Sequence, residues 1–167
     1  MATNIFLDTN IIERILRIDE EIPNNRTYEE DRKFLGKILD ICANNEKIKL
    51  YVNPSVKMEI EKTRDNQKKK ALLEIFEKYE FLPFNSTIFP CTLPATFISE
   101  EEGKKLEDVC NKIPGLKKDV KIIADAGFSK TIDILLTTDR KHLANKGFQI
   151  NHLKIFTPKM LFEYLRM

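Results

Sequence analysis

Glycine is scarce in this chain: five in 167 residues, and none before Gly36. A dinucleotide-binding domain needs a glycine-rich turn directly after its first strand, so the scarcity argues against that class. The three cysteines, Cys42, Cys91 and Cys110, are widely spaced and form no C-x-x-C pair. That argues against a zinc ribbon or a redox motif and leaves buried free thiols as the reading. The two histidines, His142 and His152, have no third candidate ligand beside them, so surface or structural roles are expected rather than a zinc site. No apolar run approaches the roughly 20 residues that span a bilayer, and no membrane partner is expected. Met1-Ala2-Thr3-Asn4 lacks the basic segment and long apolar stretch of a secretory signal, so a cytoplasmic location is expected. The net charge of +2 is nearly neutral, so any nucleic-acid partner must be argued from local patches.

What is present fits one folded domain over residues 1–167, with 42% apolar and 32% charged residues. Short apolar runs at residues 4–7, 47–52, 132–137 and 153–156 read as strands. Helices are expected from about Asn10 to Arg17, over a long segment ending at Asn44-Asn45, and after Asn53-Pro54. Others are expected over residues 68–79, from Ser99 to Asn111, from Gly115 to Phe128, and after Thr157-Pro158. Thr27-Tyr28-Glu29-Glu30 has the spacing of a capping box and should open the long helix, with Phe34, Leu35, Ile38, Leu39 and Cys42 on one face. Residues 81–98, broken by Pro83, Pro90 and Pro94, form an irregular segment with no clear assignment. Strands alternating with helices imply an α/β fold: a three-layer α/β/α sandwich with a mainly parallel central sheet. Ligands on such sheets bind beyond the carboxyl ends of the strands, where the strand order switches.

Of 26 acidic residues, four are singled out by position. Asp8 and Asp139 each follow an apolar strand. Either alone reads as a helix N-cap, a role aspartate fills well. Asp119 precedes Ile122, Ile123 and Ala126 at i+3, i+4 and i+7, so it shares their inward helical face. A carboxylate on that face needs a partner or an ion. Glu59 flanks the apolar side marked by Val56 and Ile60, while Glu61 points away; an exposed pairing with Lys62 is the plainer alternative. Carboxylates brought together need a compensating cation, and oxygen ligands suit Mg²⁺ or Mn²⁺.

The ordered set resembles the PIN-domain nucleases. The matching stretches are Ile5-Phe6-Leu7-Asp8-Thr9-Asn10, Asn53-Pro54-Ser55-Val56-Lys57-Met58-Glu59-Ile60, Asp119 with Ile122, Ile123 and Ala126, and Leu135-Leu136-Thr137-Thr138-Asp139. Ile155-Phe156-Thr157-Pro158-Lys159-Met160-Leu161 looks like the family's last strand and helix. The pattern departs at Lys141, where some members carry a further acid, and over residues 81–98, which match no family pattern. The resemblance implies a metal-dependent ribonuclease that hydrolyses phosphodiester bonds. Asp8, Glu59, Asp119 and Asp139 would hold one or two Mg²⁺ or Mn²⁺ ions, and Asn10 and Thr137 would act as supporting or phosphate-contacting residues. Small members often serve as toxins, which implies an antitoxin protein as partner; others act in RNA processing or decay. Members also commonly pair, which implies a homodimer.

The RNA, single-stranded or structured, would meet cations near the acids. Arg140 and Lys141 directly follow Asp139, and Arg64, Lys68, Lys69 and Lys70 follow Glu59. A lysine run is also the ordinary make-up of a solvated helix end. Besides the dinucleotide-binding domain that the glycine count argues against, two other classes stay open. One is a PIN-fold RNA-binding or scaffold protein that cleaves nothing. The other is a different Mg²⁺ phosphohydrolase; the haloacid-dehalogenase type wants a second Asp two positions after the first, where this chain has Asn10.

Overall fold

A computed structural model describes residues 2–20, 25–81, 101, 104, 120–127, 129, 131–144 and 151–167. Among the described residues five strands form one parallel sheet: β1 (Thr3–Leu7), β2 (Ile48–Val52), β3 (Glu80–Phe81), β4 (Ile134–Leu136) and β5 (Lys154–Phe156), in the order β3-β2-β1-β4-β5. β1 pairs with β4 through Ile5↔Ile134, Phe6↔Leu135 and Leu7↔Leu136, and with β2 from Thr3↔Ile48 to Phe6↔Tyr51. Ile5, Phe6, Leu7, Ile134, Leu135 and Leu136 are all buried, as continuous apolar runs must be when helices cover both faces of a parallel sheet. Each such side chain contributes about 1.5–3 kcal/mol. β3 was not expected from the sequence: two residues beside Tyr51 and Val52 carry no periodicity to read.

The helices are α1 (Thr9–Leu16), α2 (Arg26–Ala43), α3 (Pro54–Glu61), α4 (Asn66–Phe76), α5 (Val120–Gly127) and α6 (Pro158–Leu165). A π-helical turn, Arg140–Ala144, follows β4. α2 packs on α6, while α1 packs on α4 and α3. The result is an α/β fold compatible with three α/β/α layers. Ile11 and Ile12 seat α1, Val56 and Ile60 seat α3, and Ile122, Ile123 and Ala126 seat α5 on the core, as their spacing predicts.

The caps explain where helices begin. Asn53 accepts from the Val56 N–H at 3.1 Å and Pro54 occupies the first turn, as the sequence predicts. Thr157 likewise accepts from the Met160 N–H. The long helix departs from expectation. It starts at Arg26, capped by Asn25, whose Oδ1 accepts from the Tyr28 N–H at 3.0 Å. Asparagine two residues ahead takes the role assigned to Thr27. α4 also starts early, at Asn66, because Asp65 Oδ1 accepts from both Gln67 and Lys68 N–H groups. The irregular segment after Phe81, the helix expected from Ser99 (apart from Glu101 and Lys104), Cys91, Cys110 and Asp119 lie outside the described residues. Among the described residues no helix is long and apolar enough to cross a membrane.

Candidate functional site

The chain leaves β1 for β2 and β3 on one side, then returns to β4 and β5 on the other. β1 and β4 are therefore the neighbours between which strand order reverses, and on open parallel sheets it is beyond the carboxyl ends of such a pair that ligands bind. Asp8 is the first residue past β1 and Thr137 the first past β4. The register that sets Leu7 against Leu136 brings these two side by side, and the Asp8 N–H donates to the Leu136 carbonyl at 3.1 Å.

Asp8 stands at the N-cap of α1, yet its side chain makes no capping hydrogen bond. Its carboxylate instead faces β4. Oδ2 accepts from the Thr137 hydroxyl at 2.6 Å and from the Asn10 side-chain amide at 2.5 Å. Only 5% of Asp8 is exposed and Thr137 is fully buried. Thr137 uses its whole hydrogen-bonding capacity here. It donates to Asp8 and accepts from Asn10 Nδ2 and the Asp139 N–H, each at 3.1 Å. Asn10 closes the circuit, since its Oδ1 accepts from the Thr138 N–H at 2.9 Å, which also fixes which end of the amide points where. The two strand ends are thus tied by side chains of residues 8, 10 and 137, and the tie reaches the backbone of Asp139.

Glu59 lies on α3, the helix that follows β2, and is half-buried beside the buried Ile60. Its Oε2 accepts from the Thr9 hydroxyl. Thr9 is the residue next to Asp8, so α3 is held to the start of α1, beside the carboxyl end of β1. Glu61 is exposed, as its position predicts. α5, which starts one residue after Asp119, packs against α3 and β4.

Sequence reasoning missed Thr9 and Asp31. The second leaves a readable signal: Tyr28, Asp31, Leu35 and Ile38 recur at helical spacing and form the buried stripe of α2. Asp31 is fully buried and accepts two hydrogen bonds from Arg140, Nη1 to Oδ2 at 2.9 Å and Nη2 to Oδ1 at 2.6 Å. The Asp31 carboxylate raises the pKa of Arg140 chiefly through that hydrogen bond. Of the cations expected near substrate, Arg140 is thus engaged by a protein carboxylate, and Lys68 by Glu13 at 2.9 Å. Lys141, Arg64 and Lys70 are exposed, and Lys69 is partly so.

The candidate ligands are all carboxylates, the hard oxygen donors that Mg²⁺ and Mn²⁺ select. Among the described residues no group of three or more His, Cys, Asp or Glu comes together to hold an ion. The donor chemistry fits a hard divalent cation, and the full set of four includes Asp119. No family model matches the chain, and no curated protein matches it either.

Proposed function

We propose that this chain is a PIN-like, metal-dependent ribonuclease that hydrolyses phosphodiester bonds of RNA beyond the carboxyl ends of β1 and β4. One observation carries the reading: the Asp8 carboxylate is turned away from its capping position and held against Thr137 at the switch in strand order. A simple helix cap would use its oxygen on the backbone N–H groups of the first turn of its helix. Asp8, Glu59, Asp119 and Asp139 are the proposed ligands of Mg²⁺ or Mn²⁺. What supports Glu59 is its tie to Thr9, the neighbour of Asp8; Asp139 follows the Thr137 that Asp8 contacts, and Asp119 enters by the resemblance alone.

When bound, the ion supplies charge stabilisation for a phosphodiester undergoing in-line attack. The chain supplies the geometry. Thr137 and Asn10 fix the direction of the Asp8 carboxylate, Thr9 fixes Glu59, and the strands that lead to Asp8 and Thr137 are buried and give little way. Lys141, Arg64 and Lys70 are the exposed cations proposed to meet the phosphate backbone, with binding that weakens as salt rises.

The test is cleavage of end-labelled single-stranded RNA with Mn²⁺, with Mg²⁺ and with EDTA, by the parent, Asp8→Asn and Asp139→Asn. Cutting by the parent that EDTA and both substitutions abolish supports the reading. No metal-dependent cutting of any RNA overturns it in favour of a PIN-fold binding or scaffold protein. Growth arrest on expression, relieved by a small co-encoded protein, separates a toxin from an RNA-processing enzyme.

A further inference from the structure

Asp139 leads into a segment held at two points. Upstream, Thr137 and Asn10 bind the backbone N–H groups of Asp139 and Thr138. Downstream, Arg140 is forked onto Asp31 of α2, 109 residues away in sequence. From Arg140 onward runs a π-helical turn closed by the Ala144 N–H on the Asp139 carbonyl at 3.0 Å. Turns of this kind are rare and cluster where function demands an irregular backbone.

The surroundings of Asp31 are built up beyond one ion pair. Arg14 of α1 places its guanidinium 3.9 Å from the Tyr28 ring centre, with Nη2 3.9 Å from Asp31 Oδ2. Its buried Nε has no hydrogen-bond partner. Glu30 approaches Arg140 at 3.6 Å and is itself met by Lys159 of α6 at 3.4 Å. A buried ion pair is a weak source of stability, because desolvation offsets most of the attraction and apolar residues often do as well. Its value is directional: a bidentate arginine fork holds its backbone in one place.

We infer that Asp31, acting through Arg140, is a positioning residue that sets the direction in which Asp139 enters the site. The role rests on the proposed metal site, but the anchor itself does not. α2 thereby joins β1, α1 and α3 in shaping the site. The fork also explains why position 140 carries arginine, since lysine offers a point charge without the planar pair of donors.

The experiment compares the parent with Asp31→Asn and Arg140→Lys. Amide hydrogen exchange over residues 138–144 and Mn²⁺ affinity by titration are measured on each, with thermal unfolding as a check of the fold. Arg140→Lys keeps the charge and loses only the fork, so it serves should Asp31→Asn fail to fold. The expected result is exchange at least about tenfold faster over 138–144, with α2 unchanged. Mn²⁺ should bind roughly 10- to 100-fold more weakly, the usual effect of removing a group that orients a ligand. Unchanged exchange in the folded variants overturns the anchor, and faster exchange with unchanged Mn²⁺ affinity overturns its role in positioning Asp139. A parent that binds no Mn²⁺ overturns the metal site, and with it that role, while the exchange data still decide the anchor.

Discussion

The Thr137 hydroxyl donates to the Asp8 carboxylate at 2.6 Å across 129 residues of sequence, joining the ends of the two central strands. Thr137→Val keeps the shape and removes the donor to Asp8 and the acceptor for the Asp139 N–H and the Asn10 amide. Leaving buried polar groups without partners costs about 1–3 kcal/mol, so denaturant unfolding should show a loss in that range. Thr137→Ser keeps the hydroxyl and should lose clearly less. Equal losses would assign the effect to the missing methyl rather than to the hydrogen bonds.

Asn25 caps α2, and Thr27 does not. Asn25→Ala should therefore destabilise the protein by about 1 kcal/mol in urea unfolding, whereas Thr27→Ala should change stability by a few tenths. The reverse order would restore the capping box read from the sequence.

Asp31 is fully buried, while its partner Arg140 keeps 25% of its side chain exposed. The two halves of the pair should therefore respond unequally. Arg140→Leu strands a buried carboxylate with only the longer contact to Arg14, and should cost about 3 kcal/mol or more. Asp31→Leu leaves two arginines that can turn toward water, and should cost less. Unfolding free energies of the two variants measure the asymmetry, and equal losses would contradict it.

Burial raises the Cys42 thiol to about 11 and, chiefly by the same cause, the Tyr79 hydroxyl to about 12. Both groups are neutral when protonated, so between their ordinary pKa and the raised one the folded state holds the proton longer than the unfolded state. The sign follows: this contribution is intact below about pH 9 and is lost as pH climbs from 9 toward 11 and 12. Alkylation of the Cys42 peptide by iodoacetamide, followed by mass spectrometry, should stay slow at pH 8 and rise toward pH 11. A half-maximum near pH 8.5, the value of a free thiol, would contradict it.

Much of this was legible in residue order. The runs Ile5-Phe6-Leu7 and Ile134-Leu135-Leu136 read as buried strands because no polar residue interrupts them. Val56 with Ile60, and Ile122 with Ile123 and Ala126, read as helix faces because helical period and burial agree. Asn10 and Thr137 were placed near the acids by resemblance, and the geometry gives each a partner there. Position alone could not tell whether Asp8 is a cap or part of a site, because both uses put aspartate directly after a strand. The register of β1 on β4 decides which way its carboxylate turns. Asp31 escaped because an acid among polar helix residues draws no notice until its spacing to Leu35 and Ile38 is counted. β3 is too short to carry a pattern.

The most direct measurement of the central claim is the anomalous scattering of Mn²⁺ in crystals of the parent soaked with the ion. The account predicts a peak at roughly 2 Å from carboxylate oxygens of Asp8 and Asp139, with Glu59 and Asp119 in its coordination sphere directly or through water. It also predicts that the peak vanishes in Asp8→Asn. Crystals in which Asp119 points away from Asp8, and in which no Mn²⁺ peak lies beyond the ends of β1 and β4, would contradict it.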